Sequence, residues 1–159
     1  MADAKKDIVI ILAAGKGKRM MSSLPKVMHK VSGKPMLQYA VDAGLSVEPK
    51  QVVAVISDDL KDNYIKEIKG SVDYVIQHNP QGTGHAVQVA LEEIKEDEGV
   101  SYILLGDTPL VGASIVSNMK EKIQGADLLV VGFEAEDPAQ YGRLDIDSNG
   151  NVNRIVEFK

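Results

Sequence analysis

The sequence predicts an α/β protein built on a mostly parallel sheet. Apolar runs of strand length alternate with amphipathic stretches of helical spacing, which is the signature of repeated strand–helix units. The first run, residues 8–14, is apolar on successive rather than alternate positions, as a strand buried on both faces must be. A chain of 159 residues with 44% apolar content is the size of one ordinary domain and can bury a sizeable core. These features imply three layers, α/β/α, with an antiparallel hairpin at the C-terminal end.

The elements follow in order. "DIVIILAA" reads as the first buried strand and leads into a long glycine-containing loop. Pro35 suits the first turn of a helix, and "PMLQYAVDAGL" continues with Leu37, Ala40, Val41 and Leu45 on one face. "QVVAVI" is a second strand. "DDLKDNYIKEIKG" is an amphipathic helix with Asp58 or Asp59 as its cap and Gly70 as its stop. A strand at "VDYVIQ", a helix at "GHAVQVALEEIK", a strand at "SYILLGD", a helix at "SIVSNMKEKIQG" and a fifth strand at "ADLLVVGFE" come next. "YGRLDIDSNGNVNRIVEF" alternates around Asn149-Gly150, a hairpin signal. Ligands of such sheets sit beyond the carboxyl ends of strands, near a switch in strand order. The loops at 13–19, 77–84 and 106–110 are therefore expected on one edge.

Charge is unevenly distributed. The net charge is −5, which argues against a general nucleic-acid binder. Yet residues 8–41 contain no acid and six cations: Lys16, Lys18, Arg19, Lys26, Lys30 and Lys34. One basic loop in an acidic protein suits a small polyanion, whereas a solvated face usually mixes signs. Cysteine is absent, so disulfides and thiolate zinc sites are excluded, which fits a reducing, cytoplasmic setting. The longest apolar run is too short to cross a bilayer, and no cleavage site follows it, so neither a membrane partner nor a signal peptide is expected.

Two familiar glycine-loop templates fail. Gly15 and Gly17 are too close for G-x-x-x-x-G-K-[ST], and no third glycine completes G-x-G-x-x-G. The physics survives: glycines after a strand let backbone N–H groups turn around phosphate oxygens, and an arginine can bind two of them. A mobile surface turn is the plainer alternative.

"LAAGKGKRM", followed by Pro25-Lys26, resembles the signature of the sugar-phosphate nucleotidyltransferases. "KVMHKVSGKPML", "QGTGHAV" at 81–87, "GDTPL" at 106–110, "YGRL" and "RIVEFK" follow in the same order. Together they resemble the uridyltransferase half of the bifunctional bacterial N-acetylglucosamine-1-phosphate uridyltransferases/glucosamine-1-phosphate acetyltransferases. The resemblance implies a Rossmann-like α/β/α nucleotidyltransferase domain over 1–159, incomplete at its C-terminus. A second metal-ligating asparagine, a sugar-contacting asparagine and the acetyltransferase β-helix would then lie past Lys159, and oligomeric state is left open. It implies transfer of UMP from UTP to N-acetylglucosamine 1-phosphate, with Mg2+ as cofactor and pyrophosphate as product. The nucleophile is already an anion, so aligning and neutralising two polyanions is the main catalytic task.

By the same resemblance, Arg19 and Lys26 are the catalytic cations, Arg19 on the triphosphate and Lys26 near the reacting centre. Lys16 and Lys18 are secondary. Asp107 is the metal candidate; a turn aspartate before Thr108-Pro109 is the alternative. Leu12, Ala13, Ala14 and Gly15 offer backbone groups to the base. Gln77 matches a uracil-binding glutamine, an amide offering donor and acceptor, with Gly82 and Thr83 beside it. Gly142 and Glu157 match contacts to the acetamido sugar. His29, His78 and His85 have no ligand-type spacing, and His85 is expected to pack or cap. Met20-Met21 is expected to line or pack, and "KEDEG" to be a solvated helix end. Another sugar 1-phosphate or nucleotide, by thymidylyl or cytidylyl transfer, or a non-catalytic nucleotide-binding module, remain as alternatives.

Overall fold

The computed structural model describes residues 6–95 and 98–157. Its contacts divide the chain into two compact units, Met1–Lys120 and Glu121–Lys159. Phe158, Lys159, Glu96 and Asp97 fall outside the described residues, so the ends of "RIVEFK" and the middle of "KEDEG" do too.

The first unit contains β1 (Ile8–Leu12), β2 (Lys30–Val31), β3 (Lys34–Pro35), α1 (Met36–Leu45), β4 (Gln51–Ile56), α2 (Asp58–Asn63), β5 (Asp73–Ile76), α3 (Thr83–Glu93), β6 (Ser101–Leu105) and α4 (Ala113–Lys122). The main sheet runs β5-β4-β1-β6, and every pairing in it is parallel. Ile8 sits beside Gln51 on one flank and Ser101 on the other. The chain steps outward from β1 to β5, then jumps back across β1 to reach β6. That reversal is the switch point, where neighbouring loops diverge and leave a crevice.

Side-chain alternation divides the core in two. Val9, Ile11, Val52, Ala54, Ile56, Tyr102 and Leu104 face a cluster holding Leu37 and Val41 of α1, Leu60 of α2 and Val116 of α4. Ile8, Ile10, Val53, Val55 and Val75 face Ala86 and Ala90 of α3. Each fully buried aliphatic side chain contributes roughly 1.5–3 kcal/mol. A crossover of fixed hand must change face when its direction reverses, which is why α3 lies opposite α1. Gly44 lets α1 lie close: a Cβ there would come 2.8 Å from Val9 Cγ1.

Several elements differ from the sequence reading. The cap of α2 is Ser57, whose Oγ accepts from Leu60 N at 3.4 Å; Asp58 and Asp59 occupy the first turn instead. That helix ends at Asn63, because Tyr64 leaves helical geometry at φ −126°, and a short 3-10 turn over Ile65–Glu67 follows. Pro35 precedes α1 rather than filling its first turn, and it closes a small hairpin. Ser32 (φ 49°) and Gly33 (φ 81°) form the tip of that hairpin, both in the left-handed region that tight two-residue turns require. Met21 is 95% exposed and Met20 40%, so that pair neither packs nor lines a cavity. Among the described residues no helix is long and apolar enough to cross a membrane.

In the second unit, "ADLLVVGFE" is irregular rather than a strand, with Leu128, Val131 and Phe133 exposed. No described neighbouring strand supplies its ladder, and an extended segment without a partner has no cooperative hydrogen bonding. The predicted hairpin forms as β7 (Arg143–Ile146) and β8 (Val152–Val156), a separate two-stranded sheet. Its loop spans 147–151. The Asp147 carboxylate accepts from Asn149 N at 2.9 Å, Asn151 N at 2.8 Å and Asn151 Nδ2 at 3.0 Å, and Gly150 takes φ 86°. Arg143 donates to the Tyr141, Ala139 and Pro138 carbonyls and so holds the preceding turn.

Candidate functional site

A cavity of about 650 Å³ opens at the carboxyl edge of the parallel sheet, within the range of small-molecule sites. Three loops build its wall. The loop after β1 supplies Leu12 through Gly17, the loop after β5 supplies Gln77, Gly82 and Thr83, and the end of β6 supplies Leu105 and Asp107; Lys26 and Val27 close it from beside the first loop. Nine residues singled out from the sequence thus share one wall: Leu12, Ala13, Ala14, Gly15, Lys26, Gln77, Gly82, Thr83 and Asp107.

Parallel pairing explains this convergence. Ala13 N donates to Val55 O at 2.8 Å, Gln77 N to Ile56 O at 2.9 Å and Gly106 N to Leu12 O at 2.9 Å. Each loop therefore leaves the sheet from a fixed height. Gly106 permits the closest approach, since a Cβ there would meet Ala13 Cβ at 3.1 Å and Leu12 O at 3.2 Å.

Lys26 and Asp107 form an ion pair across the cavity, Nζ donating to Oδ2. Lys26 stands at the start of a single 3-10 turn, Lys26–Met28, whose Val27 and Met28 are buried. Its stem packs on Gly17. At φ 56°, a Cβ on Gly17 would come 2.6 Å from Lys26 Cβ. This glycine makes room for a cation as well as for a turn.

The other cations of the basic loop separate into two groups. Lys34 pairs with Asp42 at 2.8 Å and lies 3.9 Å from the Tyr39 ring centroid, and Lys30 sits 3.6 Å from Glu67. Those two are occupied by structure. Lys16 lines the cavity with no ion pair among the described residues. Arg19 is exposed, has none either, and stands outside the cavity wall. The side chain of Lys18 falls outside the described residues. The sequence shows a loop without acids of its own; folding brings Asp107, Glu67 and Asp42 to it from elsewhere.

Gln77 is 4% exposed. Its Nε2 donates to Gly82 O at 3.4 Å and lies 2.8 Å from His85 Nδ1. His85 therefore neither packs idly nor caps: it binds the buried amide in the cavity wall. Sequence reasoning passed over this contact, although the glycine turn between Gln77 and the start of α3 was the available signal. His78 pairs instead with Asp58, Nδ1 to Oδ1 at 3.0 Å, beside a second hollow of about 320 Å³ that shares Gly15, Lys16 and Gln77 with the first.

No group of three or more histidine or acidic side chains clusters among the described residues. Asp107 is thus a lone carboxylate donor, which fits an ion that takes one protein carboxylate and fills its shell with water and phosphate oxygens. In the second unit, Gly142 lies opposite Glu157: a Cβ on Gly142 would sit 3.6 Å from Glu157 Oε2.

A family model described as the MobA-like NTP transferase domain matches residues 9–145. The chain is 41% identical over 153 residues to the bifunctional protein GlmU of Parvibaculum lavamentivorans, covering 94% of this chain and 34% of that protein. It therefore spans about a third of the length of the curated relatives it matches. Among solved structures it is similar to HddC from Yersinia pseudotuberculosis, at 30% identity and TM-score 0.68, covering 94% of this chain and 68% of that one. HddC complexed with GMP-PN is similar at 29% identity and TM-score 0.66, with the same coverage.

Proposed function

Because the chain belongs to the family of MobA-like NTP transferase domains, we propose that it carries the nucleotide half of a uridyltransferase site, one that joins UTP to N-acetylglucosamine 1-phosphate. The observation that carries this reading is the cavity at the switch point, where Lys26 meets Asp107 beneath the glycine loop. The GlmU relatives at about 41% identity support the choice of substrates.

In the reaction, an oxygen of the sugar 1-phosphate forms a bond to the α-phosphorus of UTP. The bond from that phosphorus to the bridging oxygen breaks, and its electron pair leaves with pyrophosphate. No proton need be removed from the nucleophile. Lys26 exchanges its contact with Asp107 for the α-phosphate and the incoming sugar phosphate, lowering the repulsion between them. Lys16 adds positive potential at the cavity wall, and Arg19 follows the β- and γ-phosphates into pyrophosphate, for which its loop must bend inward. Asp107 is the residue that would hold Mg2+, and a bound ion supplies charge neutralisation across the phosphate oxygens. Gln77, Gly82 and Thr83 bind the base, with the backbone of 12–15 close to it. Gly142 and Glu157 contact the acetamido sugar.

A guanine nucleotide is a second reading, favoured by the similarity to HddC complexed with GMP-PN. Pyrophosphate release from UTP, with Mg2+ and N-acetylglucosamine 1-phosphate, tests the first against GTP with the same acceptor. The proposal predicts release from UTP that falls at least a hundredfold in Asp107→Asn, the scale expected when one charge-stabilising group is lost. Equal release by Asp107→Asn would remove Asp107 from the site, and release from GTP alone would favour the second reading.

A further inference from the structure

We infer that His85 is a specificity-determining positioning residue: it fixes the Gln77 amide so that the cavity presents an acceptor to bases carrying a ring N–H. The inference rests on the nucleotide reading above and deepens it.

Gly82 O can only accept, and it takes Gln77 Nε2 at 3.4 Å together with the first helical bond from Ala86 N at 3.2 Å. Nitrogen, not oxygen, must therefore face Gly82. That assignment leaves one amide proton, and it points to His85 Nδ1 at 2.8 Å. Nδ1 must then accept, so the ring carries its proton on Nε2. An imidazolium would set N–H against N–H.

Both donors of Gln77 are consumed in this way. Its Oε1 makes no hydrogen bond among the described residues, although the side chain is 4% exposed and lies in the cavity wall. Gln77 thus offers an acceptor only, where a free amide offers both. Thr83, the residue after Gly82, lines the same cavity. No side chain caps α3, and its first bond runs from Ala86 N, so the N–H groups of Thr83 and Gly84 have no hydrogen-bond partner among the described residues. Gly82 sets this turn at φ 110°, a conformation that favours glycine.

An acceptor with no donor of its own is complementary to a ring N–H, the group on the lactam edge of uracil or guanine. Cytosine and adenine carry a ring lone pair at the equivalent position, which would face Oε1 and be repelled. Without His85 one amide proton is released, so Gln77 offers a donor as well as its acceptor, and the discrimination is lost while the phosphate contacts stay.

Equilibrium binding of UTP, CTP and inorganic tripolyphosphate to the 159-residue chain, with Mg2+, tests this. Wild type should bind UTP at least about tenfold more tightly than CTP, the scale of one well-placed hydrogen bond against a repulsive one. His85→Leu should bring that ratio close to one and leave tripolyphosphate affinity unchanged. His85→Asn, which keeps an acceptor near the Nδ1 position, should restore the preference. A preference for UTP that persists in His85→Leu overturns the inference. So does a wild type that binds both nucleotides equally, although nucleotide binding itself then stands. A wild type that binds no triphosphate overturns the underlying reading as well. The imidazole nitrogens of the wild type provide a check that needs no variant: long-range 1H–15N spectra should show Nδ1 unprotonated, and an Nδ1–H signal contradicts the geometry.

Discussion

At the scale of single residues, Gly17 and Gln77 show how far identity alone can be read. The sequence marks Gly17 as part of a phosphate-type loop, but its tightest neighbour is the stem of Lys26. Gly17→Ala must place a side chain at φ 56° and push against that stem. A cost of about 1–3 kcal/mol in stability is expected, with weaker UTP binding because Lys26 is displaced. Urea unfolding and nucleotide titration of the same variant measure both, and unchanged values in the two would separate Gly17 from Lys26. Candidate residues were legible because backbone-level needs, such as small residues at a strand end, leave a local signature. The partners of Lys26 and Gln77 were not, because the residues that meet them come from 81 and 8 positions away.

At the scale of elements, strands and most helices could be read from periodicity, since burial on both faces forces continuous apolar runs. The misses were places where hydrogen bonding decides. Ser57 captures Leu60 N ahead of two aspartates, and Ser57→Ala should cost up to about 1 kcal/mol, reduced by the long 3.4 Å contact. A larger effect belongs to Gln38, buried in α1. Its amide accepts from Lys69 N at 2.7 Å and donates to Lys69 O at 2.9 Å and Asp42 Oδ1 at 2.7 Å. Gln38→Leu leaves two backbone groups unpaired under the helix, and chemical denaturation should show a loss of about 1–3 kcal/mol. "ADLLVVGFE" has the composition of a strand but no described partner, and composition cannot supply one.

At the scale of the whole molecule, the first unit carries a pH signature at the base of β6. Burial pushes the Asp7 carboxyl up, but hydrogen bonds from Lys120 and Val100 N and the Lys120 charge outweigh it and hold the group below its usual 3.8. Its stabilisation is present above that value and lost as pH falls through the lowered one. The Tyr102 hydroxyl is pushed up to about 12, first by burial and then by the charge of Asp7, which lies near it without meeting hydrogen-bond geometry. Its contribution has the opposite sign. Nothing is lost below pH 10, but between 10 and about 12 the unfolded tyrosine ionises and the folded one does not, so stability declines. Tyr102→Phe should flatten that alkaline decline in urea unfolding, and an unaltered decline would place its origin elsewhere. The parallel sheet holds Lys26 and Asp107 at one cavity, to which the proposed function assigns the triphosphate. Calorimetric titration of Mg·UTP into wild type and Lys26→Met tests that assignment most directly. The account predicts affinity at least about tenfold weaker in the variant, with a shallower dependence on salt; equal affinity and equal salt dependence would contradict it.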